Sequence, residues 1–202
     1  IKKNRDILMY YIGWQPRVTT RYSLIAGLAV SKNCNKFFRK QQFPILKNNE
    51  KEQISILTAP FVLKHKKTFM MWYVSGIKWL NKDYPLYDIK FAKSKDAVNW
   101  EQKKISCLKL KKEERALARP YVIYENKLFK MWYSYEKKVG SYKIGYAESK
   151  NGIEWKRKDN QILFINKTKG ERLMREYPAI IKYKKKNIYF TMATLTAKRA
   201  YF

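Results

Sequence analysis

Histidine, cysteine and acidic residues are all scarce in this chain of 202 residues, which holds one His, two Cys and 16 Asp plus Glu. The single histidine, His65, falls among lysines on an expected hairpin tip, so neither a Ser-His-Asp triad nor a His-based zinc site can be assembled. Cys34 and Cys107 are too few and too far apart for a disulfide framework or a thiolate metal cluster. No run of 18 apolar residues exists, so no helix is expected to span a membrane. No signal peptide is visible, although the chain starts at Ile1 rather than Met, and a cytoplasmic location is the default expectation. No cofactor and no metal are called for.

The scarcity of acid leaves a formal charge of +29, from 45 Lys plus Arg. A balance this basic raises nucleic acid or another anionic surface as a partner. Only ten of the 45 are Arg; the lysines are spread along the chain and many sit at expected hairpin tips, such as Lys64, Lys66, Lys67, Lys137, Lys138 and Lys184 to Lys186. That distribution describes a solvated rim better than a groove reader. No DNA-binding motif and no RNP-like signature accompanies it. Non-specific polyanion binding at low salt is expected from charge alone.

What the chain has in plenty is self-similarity. ARPYVIYENKLFKMWYSYEKKVGSYKIGYAESKNGIEW, from Ala118 to Trp155, reappears upstream as TAPFVLKHKKTFMMWYVSG and YDIKFAKSKDAVNW. Pro60 and Pro120 are 60 residues apart, as are Trp72 and Trp132, and Pro178 opens a further copy 58 residues after Pro120. Tyr10 to Gly13 and Gly27 to Asn33 repeat the middle and end of the unit at the front. A fixed period of this size marks a repeat array.

Each copy holds short runs rich in Val, Ile, Tyr, Phe and Trp, which favour strands. Glu125-Asn126-Lys127 is a hairpin-sized connection, and Asn151-Gly152 can supply positive φ in a tight turn. Four antiparallel strands per unit, repeated, describe the blades of a β-propeller. The fold class is therefore all-β, a partial propeller of four-stranded antiparallel blades, about three and a half of five. A plain β-sandwich with chance similarity would not place Pro, Met-Trp-Tyr, Ala-x-Ser-Lys and Trp in the same order. The expected division is a partial blade over 1–46, blades over 57–110 and 117–166, and a truncated blade over 174–202.

RPYVIYENKLFKMWYS followed by YKIGYAESKNGIEW resembles the blades of the five-bladed propeller glycosidases, glycoside hydrolase families 43, 32, 68 and 130. YYIGW, TAPFVL, MWYVSG, ARPYVI and MWYSY look like an uncharacterised bacterial branch of that group. Five blades of about 58 residues need roughly 290. The chain is thus expected to be a fragment, its first copy lacking the strand before Ile7, with open blade edges that invite self-association.

The resemblance implies a carbohydrate substrate or ligand and directs attention to several residues. A Glu-x-Pro segment at the start of a blade carries the general acid in family 43, and Glu176 precedes Pro178 in this way. Glu114 is a second candidate acid. Arg119 occupies an inner-strand position where other copies have Ala59 and Tyr177, and a charge there needs Glu114, Glu176 or a ligand as partner. Trp14 and Arg17, near the expected funnel mouth, could stack on or hydrogen-bond a sugar, and Tyr135 joins the substrate-binding set. Asp88 is expected to point outward. No Asp among Asp6, Asp83, Asp88, Asp96 and Asp159 reads as a partner for the acid, so the chain is expected to be inactive alone. Two alternatives stay open. One is a family 130-like phosphorylase, with Arg115, Arg119 and Arg175 holding phosphate. The other is a non-catalytic propeller that binds glycans or polyanions. The tail from Thr191 to Phe202 departs from the resemblance, which suggests a frameshifted C-terminus expected to pair poorly.

Overall fold

A computed structural model describes residues 1–47, 55–138, 141–162, 174–184 and 186–194. The chain divides into two compact units, Ile1–Ser106 and Cys107–Phe202. Among the described residues the only helix is one 3-10 turn, Asp159–Gln161, and none is long and apolar enough to cross a membrane.

The first unit contains two meanders. One runs through β1 (Lys2–Lys3), β2 (Asp6–Pro16), β3 (Tyr22–Ser31) and β4 (Phe38–Arg39), each antiparallel to the next. The position expected to lack a strand thus carries a two-residue stub, β1. The other meander runs through β5 (Ile56–His65), β6 (Thr68–Trp79) and β7 (Pro85–Ser94), with β8 (Glu101–Leu108) paired to β7. A short parallel contact, Leu24 to Ile56 and Ile25 to Leu57, joins the two. Leu28, Leu57, Phe69, Met71, Tyr73 and Ala92 form its core.

In the second unit β9 (Ala116–Glu125), β10 (Leu128–Glu136), β11 (Lys143–Ser149) and β12 (Lys156–Arg157) repeat the pattern, and β13 (Met174–Tyr183) with β14 (Lys186–Thr194) begins it again. Trp72 lies opposite Phe61 and Phe91, and Trp132 opposite Tyr121 and Tyr146, so the two tryptophans hold equivalent ladder positions. Trp132 packs on Tyr146 and Tyr189 with ring centroids 5.0 and 5.6 Å apart. Each such aromatic pair adds about 0.5–1.5 kcal/mol beyond area burial. The Tyr121 hydroxyl donates to the Ile180 carbonyl at 2.6 Å, which ties β9 to β13.

Two local devices recur, each in three copies. The third strand ends in a serine whose Oγ accepts two backbone N–H bonds: Ser31 from Asn33 and Cys34, Ser94 from Asp96 and Ala97, Ser149 from Asn151 and Gly152. Cys34, Ala97 and Gly152 then take φ of 67°, 60° and 76°, the left-handed region that turns the chain. The Ser-Lys repeat of the sequence is therefore a turn device. Asn126 and Lys127, at φ 52° and 61°, make the β9–β10 hairpin.

The second device is a bulge in β5, β9 and β13, where two residues face one: Ala59-Pro60, Arg119-Pro120 and Tyr177-Pro178. The residue before each proline has φ of 47°, 50° and 54°. Proline has no N–H to lose from the ladder, so a bulge suits it. A side chain in the left-handed region costs about 1–2 kcal/mol. The tail departs less than its sequence suggested. Met192, Ala193 and Thr194 pair with Glu176, Arg175 and Met174, and residues from 195 onward lie outside the described residues.

Candidate functional site

The bulges place the site in the second unit. Because Arg119 and Tyr177 hold the same repeat position on β9 and β13, and Tyr121 fixes those strands to one another, the two side chains meet. The Arg119 guanidinium lies over the Tyr177 ring, 4.5 Å from its centroid. The Tyr177 N–H, taken out of the ladder by the bulge, donates instead to Oγ of buried Ser134 at 3.0 Å. Ser134 thereby locks the turn that presents the ring.

Glu176, the neighbouring residue, is buried at 9% exposure. Among the described residues its carboxylate has no side-chain hydrogen bond and no ion pair. Burial pushes the carboxyl above its ordinary range, and the Arg119 charge draws it only partly back. A buried carboxyl biased toward its protonated form and unengaged in this way is suited to giving up a proton. The remaining described carboxylates of this unit are all engaged. Glu113 pairs with Lys137, Glu125 with Lys130, Glu148 with Lys158, and Glu154 accepts from Asn151.

Glu114 belongs to a different cluster, and its charge is taken by Arg157, not by Arg119. Its side chain, 1% exposed, receives both terminal nitrogens of Arg157 at 2.6 and 2.8 Å and the Lys111 N–H at 2.9 Å. Arg157 also bonds Asp159 and lies over Tyr133 and Tyr135, 5.3 and 5.6 Å from their centroids. Asp159 accepts from the Tyr133 hydroxyl at 2.6 Å and from Lys111 at 2.9 Å. Burial works against ionising Asp159, but these bonds and the Arg157 charge outweigh it and hold the carboxyl low. Burial also pushes the Tyr133 hydroxyl up, so it stays a donor. Glu114 and Tyr135 thus serve a saturated structural network.

Arg115 is committed to Glu136, whose side chain is 1% exposed. Arg175 sits half-buried on β13, its N–H donating to Tyr142, and has further partners of its own. The three arginines considered for phosphate therefore do not form one free cluster. In the first unit Trp14 is 55% exposed at the end of β2, and Arg17 follows in the exposed loop. Trp14 borders a groove of about 310 Å³ lined also by Tyr11, Gly13, Arg39, Gln42 and Phe43. Asp88 corrects another expectation. It is buried, not outward-facing, and takes a hydrogen bond from Ser106. Asp96 caps its turn, accepting from the Val98 and Asn99 N–H groups. Sequence reasoning missed the roles of Tyr177 and Ser134. For Tyr177 the signal was available, since it precedes Pro178 as Arg119 precedes Pro120; for Ser134 there was none. Among the described residues no group of His, Cys, Asp and Glu could hold a metal ion.

The sequence matches no protein-family model. Two uncharacterized proteins of Mycobacterium tuberculosis are 30% and 29% identical to it over 181 residues, which is 88% of this chain and 59% of theirs. The chain thus spans well under two thirds of the length of the curated relatives it matches. Among solved structures, a glycoside hydrolase aligns with a TM-score of 0.75 at 17% identity, over 96% of this chain and 60% of its own. The Bombyx mori GH32 β-fructofuranosidase aligns at 0.69 and 14% identity, over 93% and 40%. A thermostable family-43 glycoside hydrolase aligns at 0.65 and 16%, over 90% and 59%. At such identities the likeness shows the fold: this chain is all-β, a partial propeller of four-stranded antiparallel blades of the kind that glycoside hydrolases use.

Proposed function

We propose that the chain is the acid-bearing part of a carbohydrate-active propeller that cleaves glycosidic bonds, with Glu176 as the proton donor to the leaving oxygen. The observation that carries this reading is the state of Glu176: buried, unengaged among the described residues, and shifted toward its protonated form. Glycoside cleavage needs such an acid together with a second carboxylate, acting as base or nucleophile across the bond. Glu114 and Asp159 are tied up in ion pairs, so neither is that second group. The chain alone then has half of the machinery.

The missing half can be supplied from solution. Formate or azide replaces an absent carboxylate nucleophile, and aryl glycosides with poor leaving groups depend on the acid. Formate-dependent cleavage of phenyl glycosides by the whole chain, reduced about 10²–10⁴-fold in Glu176→Gln, is the expected result. Equal rates from the two proteins, including no cleavage by either, overturn the assignment. A second reading, a glycan-binding propeller without catalysis, is favoured by one observation: exposed Trp14 beside its groove offers an aromatic face to a sugar ring. Sugar binding lost in Trp14→Ala, without any rescued cleavage, selects that reading.

A further inference from the structure

Arg119 is exposed, and among the described residues its guanidinium makes no hydrogen bond and no ion pair; it lies over the Tyr177 ring, and its charge acts on Glu176. An arginine over an aromatic ring characteristically stacks by its face, which leaves the in-plane N–H donors free for another partner. That is the geometry for taking a carboxylate or phosphate with two parallel bonds. Every other arginine side chain described above in this unit that could compete is occupied: Arg115 by Glu136, Arg157 by Glu114 and Asp159. The repeat's bulge, with Arg119 at φ 50° and Tyr177 at φ 54°, turns both side chains out of the ladder.

We propose that Arg119, held against Tyr177, is a recognition point for an anionic group on the sugar, a carboxylate or a phosphate. This deepens the reading of Glu176 as the acid and rests on it for the identification of the ligand as a sugar. A neutral sugar would leave an arginine beside the acid that only opposes protonation. An oxyanion bound to Arg119 offsets that charge, so the Glu176 carboxyl shifts further toward its protonated form once the correct ligand is in place. Recognition and readiness to donate are thereby coupled.

The test is binding of sugar pairs to the whole chain at fixed ionic strength of about 0.15 M, where long-range attraction to the basic surface is screened. Glucuronate and galacturonate, glucose 6-phosphate, and the neutral parents glucose and galactose are the probes. Charge-assisted bonds to one arginine predict at least one charged sugar binding about tenfold or more tighter than its parent. Uronates alone gaining identifies a carboxylate site, and glucose 6-phosphate alone gaining a phosphate site. Arg119→Gln abolishes the gain, while Lys95→Gln, an exposed change in the other unit, leaves it within twofold. Thermal unfolding of each variant verifies that it is folded, and Arg119→Lys keeps the charge but loses the two-bond geometry and most of the gain. The inference is overturned if no charged sugar outbinds its parent. It is equally overturned if Arg119→Gln binds as the wild type does, or if Lys95→Gln loses as much as Arg119→Gln. Rescued cleavage by Glu176 is read in a separate assay, so either idea can fail without the other.

Discussion

Glu114 was the second candidate for the acid beside Glu176, and a perturbation of the Glu114–Arg157 pair separates them. Arg157→Met leaves the Glu114 carboxylate 1% exposed with only the Lys111 N–H for company. Removing one partner of a buried pair costs about 3–5 kcal/mol, because the survivor stays charged and out of water. At 1.4 kcal/mol per decade this is roughly a hundred- to several-thousand-fold in the opening equilibrium. Glu114→Gln keeps the shape and weakens the bond to about 1–3 kcal/mol of loss. Replacing both residues by methionine removes the stranded charge, so the double variant should be more stable than Arg157→Met alone. Hydrogen exchange of the β9, β11 and β12 amides reads this within the second unit, where a whole-chain melting curve would mix two units. Less than tenfold loss of protection in Arg157→Met, or a double variant no better than the single one, would refute the reasoning. In the formate assay Glu114→Gln keeps its rate per folded molecule, in contrast to Glu176→Gln.

Further consequences concern the repeat devices and the acid itself. A Cβ on Gly145 would come within 2.4 Å of the buried Tyr133 ring, so Gly145→Ala should destabilise the second unit by about 1–3 kcal/mol, measured by urea unfolding. Cys34 is exposed at φ 67° where the third copy has Gly152, so Cys34→Gly should stabilise the first unit by about 0.5–1 kcal/mol, with a raised unfolding midpoint as the readout. The Glu176 carboxyl is shifted above its ordinary value of 4.5, so its favourable contribution is complete below that value and is lost as pH rises through the folded-state value. Glu176→Gln should therefore gain on the wild type in melting temperature between pH 4 and pH 7; a constant difference would show that burial does not shift the group.

The regular parts of this structure were legible because they repeat. Proline at the first strand, tryptophan one strand later, and Ser-Lys before the turn recur in order, and each proved to have a local cause: a missing N–H, a shared ladder position, a pair of capped amides. Glu176 was singled out by resemblance rather than by the repeat, through the Glu-x-Pro segment that it forms with Pro178, and its role is the proposal made above. What the sequence concealed is set by distance. Nothing at Glu114 points to Arg157, 43 residues later, and nothing at Arg115 points to Glu136. Asp88 reads as a surface residue beside Lys143 in the next copy, yet it is buried against Ser106. Charges that fold inward find partners through the sheet, and a one-dimensional pattern carries no trace of that.

The bulges explain why the site lies where it does. A residue before proline ordinarily prefers extended backbone, and the sequence alone suggests nothing else for Arg119 or Tyr177. All three copies nevertheless adopt the left-handed turn, including Ala59, whose methyl has no role at a site. The strain is therefore a property of the repeat, carried whether or not a functional side chain is present. A position that re-aims its side chain out of the ladder in every copy is a ready place for a binding group, and one substitution suffices to fill it. In the second unit two neighbouring copies have done so, with a cation lying over an aromatic ring, next to the carboxyl that burial shifts toward its protonated form. If the conformation belonged to the ligand site alone, Ala59 would sit in ordinary extended backbone; its φ of 47° places the cause in the fold and the chemistry in the choice of side chain.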